Sequence, residues 1–90
     1  MLVSIFAPNQ ILITENNGDI HFKSYETTIC NIINGRIFLN SKYWDKDNQT
    51  ATTNRYLGTF LNIGQSGVKK YVESAIQSRL ITLTEDIKKF

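Results

Sequence analysis

The chain has 90 residues, of which 41% are hydrophobic and 20% are charged, and its formal net charge is +2. This length supports one domain with one modest core, and the small charge does not by itself indicate a nucleic-acid-binding protein. No apolar run approaches the roughly 20 residues of a membrane-spanning helix, and the single Cys30 excludes an intramolecular disulfide. We therefore expect one cytoplasmic domain comprising residues 1–90.

Three short strands are predicted before residue 26. Residues 2–6 form a largely apolar run rich in β-formers, and Pro8 ends that strand. Residues 10–14 and 20–25 flank a loop rich in Asn and Gly, which predicts a hairpin. His21 alternates with Ile20 and Phe22, so we expect it on the polar face as a solvated strand residue, not as a metal ligand or general base.

A second hairpin is predicted around Asn34-Gly35, because this dipeptide favours a two-residue type I′ turn. Residues 27–33 should then pair with residues 36–40, with Ile32 opposite Ile37 and Cys30 opposite Leu39. The opposite face of this hairpin is also partly apolar, through Ile29, Ile33 and Phe38. That face needs another strand, another part of the chain or a second subunit, so a homodimer is one of the options.

Residues 41–51 form a polar connector with two adjacent aromatic residues, Tyr43 and Trp44. These could anchor the connector to the core, or they could be exposed and bind a partner. Asp45 and Asp47 lack a third ligand, so we expect a solvated turn and no metal site.

Two short helices are predicted between residues 52 and 78. The first covers residues 53–61, with Thr52 or Thr53 as N-cap, and the second begins near Ser66. Apolar residues in the second helix follow the i, i+3, i+4, i+7, i+8 spacing of a half-buried helix, and they are Val68, Tyr71, Val72, Ala75 and Ile76. Gly58 lies inside the first helix, where glycine destabilises, and this predicts close approach of another part of the backbone.

The last segment, residues 79–90, is predicted to form one closing strand over residues 79–84 and a frayed end at residues 88–90. The predicted fold class is therefore α+β. An N-terminal antiparallel β-meander (residues 1–42) is followed by a two-helix unit (residues 52–78) and a short closing strand.

The two-helix segment resembles the helix-turn-helix of small phage and bacterial repressors. The resemblance rests on Leu57 before the small residue Gly58, on the corner formed by Leu61, Asn62 and Ile63, and on the anchors Val68 and Tyr71. It covers about a quarter of the chain, and it departs from the family pattern at Asn62, where glycine is commoner, and at Gly67. The resemblance implies that the second helix enters the major groove of DNA. Its DNA-contacting residues would be Gln65, Ser66, Lys69 and Lys70, with Arg55 on phosphate.

The positive charge is concentrated in the half of the chain that contains the two helices, as DNA binding through the second helix would require. Residues 1–54 carry four basic and five acidic groups, whereas residues 55–90 carry six basic and three acidic groups. The segment around Tyr43-Trp44, Thr52-Thr53 and Phe60-Leu61 is also similar to small uncharacterised bacteriophage proteins, which would place the chain in the cytoplasm of a bacterial host.

Catalytic chemistry is not indicated, because the sequence contains no recognisable Ser/His/Asp set, no carboxylate pair on one element and no glycine-rich phosphate loop. We expect no enzyme activity and no cofactor. The first hypothesis is a DNA-binding protein. The alternative is a protein-interaction module, such as a phage inhibitor of a host defence or transcription protein, that uses Tyr43 and Trp44.

Overall fold

A computed structural model describes residues 1–90 as one six-stranded sheet with two helices. The strands follow one another across the sheet in chain order. The elements are β1 (Leu2–Ala7), β2 (Gln10–Thr14), β3 (Ile20–Ser24), β4 (Thr27–Ile33), β5 (Arg36–Asn40), α1 (Ala51–Phe60), α2 (Val68–Gln77) and β6 (Ile81–Thr84).

The sheet is mixed, because β1 to β5 pair antiparallel and β6 pairs parallel to β5. A parallel neighbour requires a crossover connection, and α1 and α2 form it. This arrangement confirms the α+β class with a closing strand. The closing strand begins at Ile81 and not at residue 79, because Arg79 adopts a left-handed backbone (φ 66°) as the chain leaves α2.

The β4–β5 hairpin has the predicted register. Asn34 and Gly35 both have positive φ, 55° and 79°, as a type I′ turn requires. Cys30 pairs with Leu39, and Ile32 pairs with Ile37. The two turn residues, Asn34 and Gly35, therefore set the register that determines which side chains of this hairpin face the helices.

The core lies between the sheet and the two helices. Phe22 from β3, Leu39 from β5, Leu57 from α1 and Val72 from α2 are each fully buried within an eleven-residue cluster. The Phe22 ring stacks on Phe60 of α1, with 5.7 Å between ring centroids. Both helices therefore pack on one face of the sheet.

The C-terminal tail, residues 85–90, covers part of the other face, so the prediction of a frayed end is wrong. Ile87 is only 6% exposed, and the Lys88 backbone N–H donates to Asn31 Oδ1 at 2.9 Å. The Phe90 ring lies 4.2 Å from the His21 ring. The tail therefore covers His21 and Asn31 on this face, whereas Ile29, predicted to lie on it, belongs to the core cluster because the β3–β4 register shifts at this residue.

His21 is fully buried, so the prediction that it is solvated is also wrong. Strand alternation does place it on the face away from the helices, but the tail covers that face. The backbone of Lys88 fixes the Asn31 amide, whose Nδ2 then donates to His21 Nδ1 at 2.6 Å. His21 Nε2 must therefore carry the hydrogen that it shares with Glu15 Oε2 at 2.7 Å.

Glu15 also joins this cluster to the tail through the cation of Lys88. Lys88 Nζ donates to both of its carboxylate oxygens, at 2.8 and 3.0 Å. The hydrogen bond from Lys88, and then that from His21, hold the pKa of Glu15 below its ordinary value. The hydrogen bonds and ion pair of this cluster therefore fix the end of the chain to the β2–β3 loop.

Candidate nucleic-acid interface

The start of α1 is fixed to the sheet by two threonines. Thr50 is the N-cap, and its hydroxyl accepts from the Thr53 backbone N–H at 3.2 Å, so the predicted caps Thr52 and Thr53 are wrong. Thr53 is instead buried inside the helix, where its hydroxyl bonds Ser24 Oγ of β3 at 3.0 Å. This bond holds the N-terminal turn of α1 over the end of β3.

Gly58 is the point of closest approach between α1 and the segment leading into α2. A Cβ at this position would overlap the Gly64 carbonyl oxygen and lie 2.6 Å from Val68 Cγ2. The Gly58 carbonyl oxygen accepts from the Ile63 N–H at 3.0 Å, and Asn62 adopts positive φ (61°) to turn the chain. The predicted reason for a mid-helix glycine is confirmed, because no side chain fits there.

The connection between the helices departs from the resemblance. Seven residues, 61–67, separate Phe60 from Val68, whereas a helix-turn-helix usually has a turn of about three to four residues. α2 therefore begins two residues later than expected, because Gly67 takes a left-handed conformation (φ 69°). The prediction that Tyr71 anchors α2 is also wrong, since Tyr71 is 45% exposed. The buried residues Val68, Val72 and Ala75 fix α2 to the core instead.

A depression of about 490 Å³ lies where the N-terminal turns of α1 and α2 meet. We call it the basic depression because three of its lining side chains are cationic. Its lining residues are Ala51, Asn54, Arg55, Gln65, Gly67, Val68, Lys69, Lys70 and Glu73. Residues near the start of both helices therefore line the same concave surface.

The charge of the basic depression is not neutralised within the protein. Arg55, Lys69 and Lys70 are exposed and form no ion pair, while the lining includes one carboxylate, Glu73. Lys69 and Lys70 lie in the first turn of α2, where the helix dipole disfavours cations, and no side chain caps this end. An anion bound here would be stabilised by the two lysines and by the free N–H groups of the helix end.

Four of the five predicted DNA-contacting residues line this depression. They are Arg55, Gln65, Lys69 and Lys70; Ser66 is exposed on the loop beside it. Gln65 and Ser66 precede α2 and do not form its first turn, and Gln65 Nε2 donates to Thr59 Oγ1 at 3.2 Å. Two further polar residues line the depression and were not predicted from the sequence. Asn54 precedes Arg55 on α1, and Glu73 lies one turn after Lys69 on α2.

The predicted partner-binding aromatic pair is not an exposed surface. Tyr43 is only 7% exposed, and its hydroxyl donates to the Thr50 carbonyl oxygen at 3.4 Å and to Asn54 Oδ1. Burial raises the pKa of Tyr43. Trp44 is half-buried and packs against the core. Of the two alternatives for this pair, the structure shows anchoring of the connector to the core and not an exposed Tyr43.

A larger cavity, of about 610 Å³, lies between the β3–β4 turn, the connector and the C-terminal tail. Two pairs of its polar groups bond one another: Ser24 Oγ with Thr53 Oγ1, and Asn40 Nδ2 with the Thr28 carbonyl oxygen at 2.9 Å. Its charged lining residues, Glu26, Lys42 and Lys89, form no ion pair and have both signs. No group of three His, Cys, Asp or Glu side chains that could hold a metal ion occurs in the molecule. The basic depression differs from this cavity in grouping three cations with one carboxylate.

Comparison with known proteins identifies the family of the chain. The chain belongs to a family of unknown function, DUF8033, whose model matches residues 3–78. The matched span includes β1 to α2 and every residue of the basic depression, and it stops before β6 and the tail. No curated protein and no solved structure matches the chain. Neither helix is long and apolar enough to cross a membrane.

Proposed function

We propose that this member of the DUF8033 family binds duplex DNA through the basic depression between α1 and α2. The observation that supports the proposal is the grouping of Arg55, Lys69 and Lys70, exposed and without ion pairs, around the point where two helix N-termini meet. Phosphate contacts supply most of the affinity of DNA-binding proteins, and this arrangement suits them.

The division of labour among these residues follows from their positions. Arg55 on α1 and the lysines of α2 flank the depression, so they would bind phosphates on either side of a groove. Gln65, at the rim, carries an amide that can bond an adenine edge bidentately after it releases Thr59. Glu73, the one carboxylate of the lining, lies within one helical turn of both lysines and would offset part of their positive charge.

The alternative of a host-protein partner has weaker support from the side chains that suggested it. Tyr43 is buried, and Trp44 packs on the core, so neither offers the exposed aromatic anchor typical of interface hot spots. The unpaired cations, by contrast, have no structural role that their surroundings reveal. A polyanion is therefore the partner whose chemistry best fits the surface.

The test is a fluorescence-anisotropy titration of random-sequence duplex DNA with the natural protein and two charge-reversal variants. Lys70→Glu places a carboxylate in the basic depression and should reduce affinity at least tenfold. Arg36→Glu makes the same charge change far from the depression and is the control. Arg36 follows the β4–β5 turn, at one end of β4, whereas Ser24, which bonds the start of α1, lies at the other end. This variant should retain affinity within about twofold.

Equal losses in both variants would mean that net charge alone drives binding, and this would contradict the assignment of the site. No binding by the natural protein at low ionic strength would reject the proposal as a whole. Both substituted residues are exposed, so circular dichroism should show an unchanged fold in each variant.

A further inference from the structure

β1 forms one edge of the sheet and exposes apolar side chains on both of its faces. Its outer side has no neighbouring strand. Met1 is 70% exposed, Leu2 63%, Val3 55% and Ile5 71%. Every second backbone N–H and C=O of such a strand points outwards without a partner, which makes it a template for another strand.

Charged residues and proline, two usual protections of an edge strand, are missing from the six residues of β1, LVSIFA. Residues 2–5 are exposed, and the one irregularity of the strand, a register shift between Ile5 and Ala7, lies at its far end. The other edge strand, β6, has only four residues and is flanked by Arg79 before it and by Glu85 and Asp86 after it. Charged flanks and short length are common ways of blocking strand addition, so the two edges are not equivalent.

We propose that β1 pairs antiparallel with β1 of a second copy of the chain, which joins the two sheets into one of twelve strands. The occupant is a second copy because an uncharged strand meets its own copy without repulsion, whereas β1 pairing with β6 would build an open fibre. The proposal is independent of DNA binding.

The pairing geometry selects a register. Residues opposite one another in an antiparallel pair share a face. The two-fold axis must therefore pass midway between two copies of the same residue. An axis at Ser4 sets Val3 of one copy against Ile5 of the other, and it buries four exposed β-branched side chains on the face away from the helices. Ser4 then lies opposite Ser4 of the second copy.

The interface is small, which sets the strength of association. A six-residue strand is roughly 20 Å long and a sheet is about 10 Å thick, so the edge offers roughly 200 Å² per copy before its flanking side chains are counted. Stable dimers bury about 800 Å² per partner. The dissociation constant is therefore expected between about 1 µM and about 1 mM.

The direct test is disulfide trapping. Ser4→Cys should cross-link efficiently on mild oxidation, because opposed residues have Cα atoms about 4.5 to 5.5 Å apart, within disulfide range. The natural Cys30 is fully buried and does not compete. Thr82→Cys, exposed on β6, is the control and should remain uncross-linked.

Light scattering over a concentration series supplies the second measurement. The natural protein should approach twice the monomer mass at high concentration. Ile5→Lys should remain monomeric, and Leu80→Lys, at a similarly exposed aliphatic residue (66%), should dimerise like the natural protein. A natural protein that stays monomeric, a mass rising beyond two chains, equal trapping at residues 4 and 82, or an Ile5→Lys variant that still dimerises would overturn the proposal.

Discussion

Two buried residues with unusual surroundings, Gly58 and His21, fix the packing around them. Gly58 is buried beneath the Gly64 carbonyl, and His21 is enclosed by Glu15, Asn31 and Phe90. The role of Gly58 could be predicted, because a glycine inside a helical pattern needs a steric reason. The role of His21 could not, since its enclosure depends on tail residues 67 to 69 positions later in the chain, whose docking no local pattern indicates.

Replacing Gly58 with alanine should lower the free energy of unfolding by about 1 to 3 kcal/mol, the usual cost of overpacking a tight site. Alanine is the better helix former, so a steric effect must exceed a gain of about 1 kcal/mol to give this sign. Urea unfolding measures the change, with the exposed α2 substitution Ser74→Ala as control. A Gly58→Ala variant more stable than the natural protein would mean that the helix crossing is looser than described.

Glu15 should make stability depend on pH in the acid range. Its pKa is lowered in the folded protein from an ordinary value of 4.5, so its stabilising contribution is complete above that value and is lost as pH falls through the lowered folded pKa. Urea unfolding at a series of pH values should show this loss. Glu15→Gln should flatten that part of the curve, whereas Glu26→Gln, which removes an exposed carboxylate without a cationic partner, should leave its shape unchanged.

Elements differ in how far local sequence determines them. The β4–β5 register followed from Asn34-Gly35 alone, because a two-residue turn leaves one pairing. The sequence predicts the start of α2 near Ser66, two residues too early, because Gly67 is the left-handed N-cap of this helix and not part of its first turn. The tail has no periodicity, and its docking depends on side-chain contacts with strands far away in sequence.

The tail should contribute to global stability although it contains no regular element. Ile87 is buried on the outer face of the sheet, so Ile87→Ala should lower the free energy of unfolding by about 2 kcal/mol. Thermal unfolding measures it, and Thr82→Ala, at an exposed position of β6, is the matched control. A variant as stable as the natural protein would indicate that the tail is not docked in solution.

At the scale of the whole molecule, the packing of the tail separates Lys88 from the cations of the helices. The excess in residues 55–90 was expected to concentrate at the helices, but Lys88 lies on the opposite face, bound to Glu15. Arg55, Lys69 and Lys70 remain in the basic depression. The sequence thus predicted the surface through its helical pattern, while the division of charge between faces emerged only from the packing of the tail.

We propose that these three cations bind the phosphates of duplex DNA. The test is the slope of the logarithm of the binding constant against the logarithm of salt concentration, measured for the natural protein and for a variant with Arg55, Lys69 and Lys70 all replaced by glutamine. Three phosphate contacts predict a slope of about −2.7 for the natural protein and a slope near zero for the variant. Identical slopes for the two proteins, or no salt dependence in the natural one, would contradict the claim.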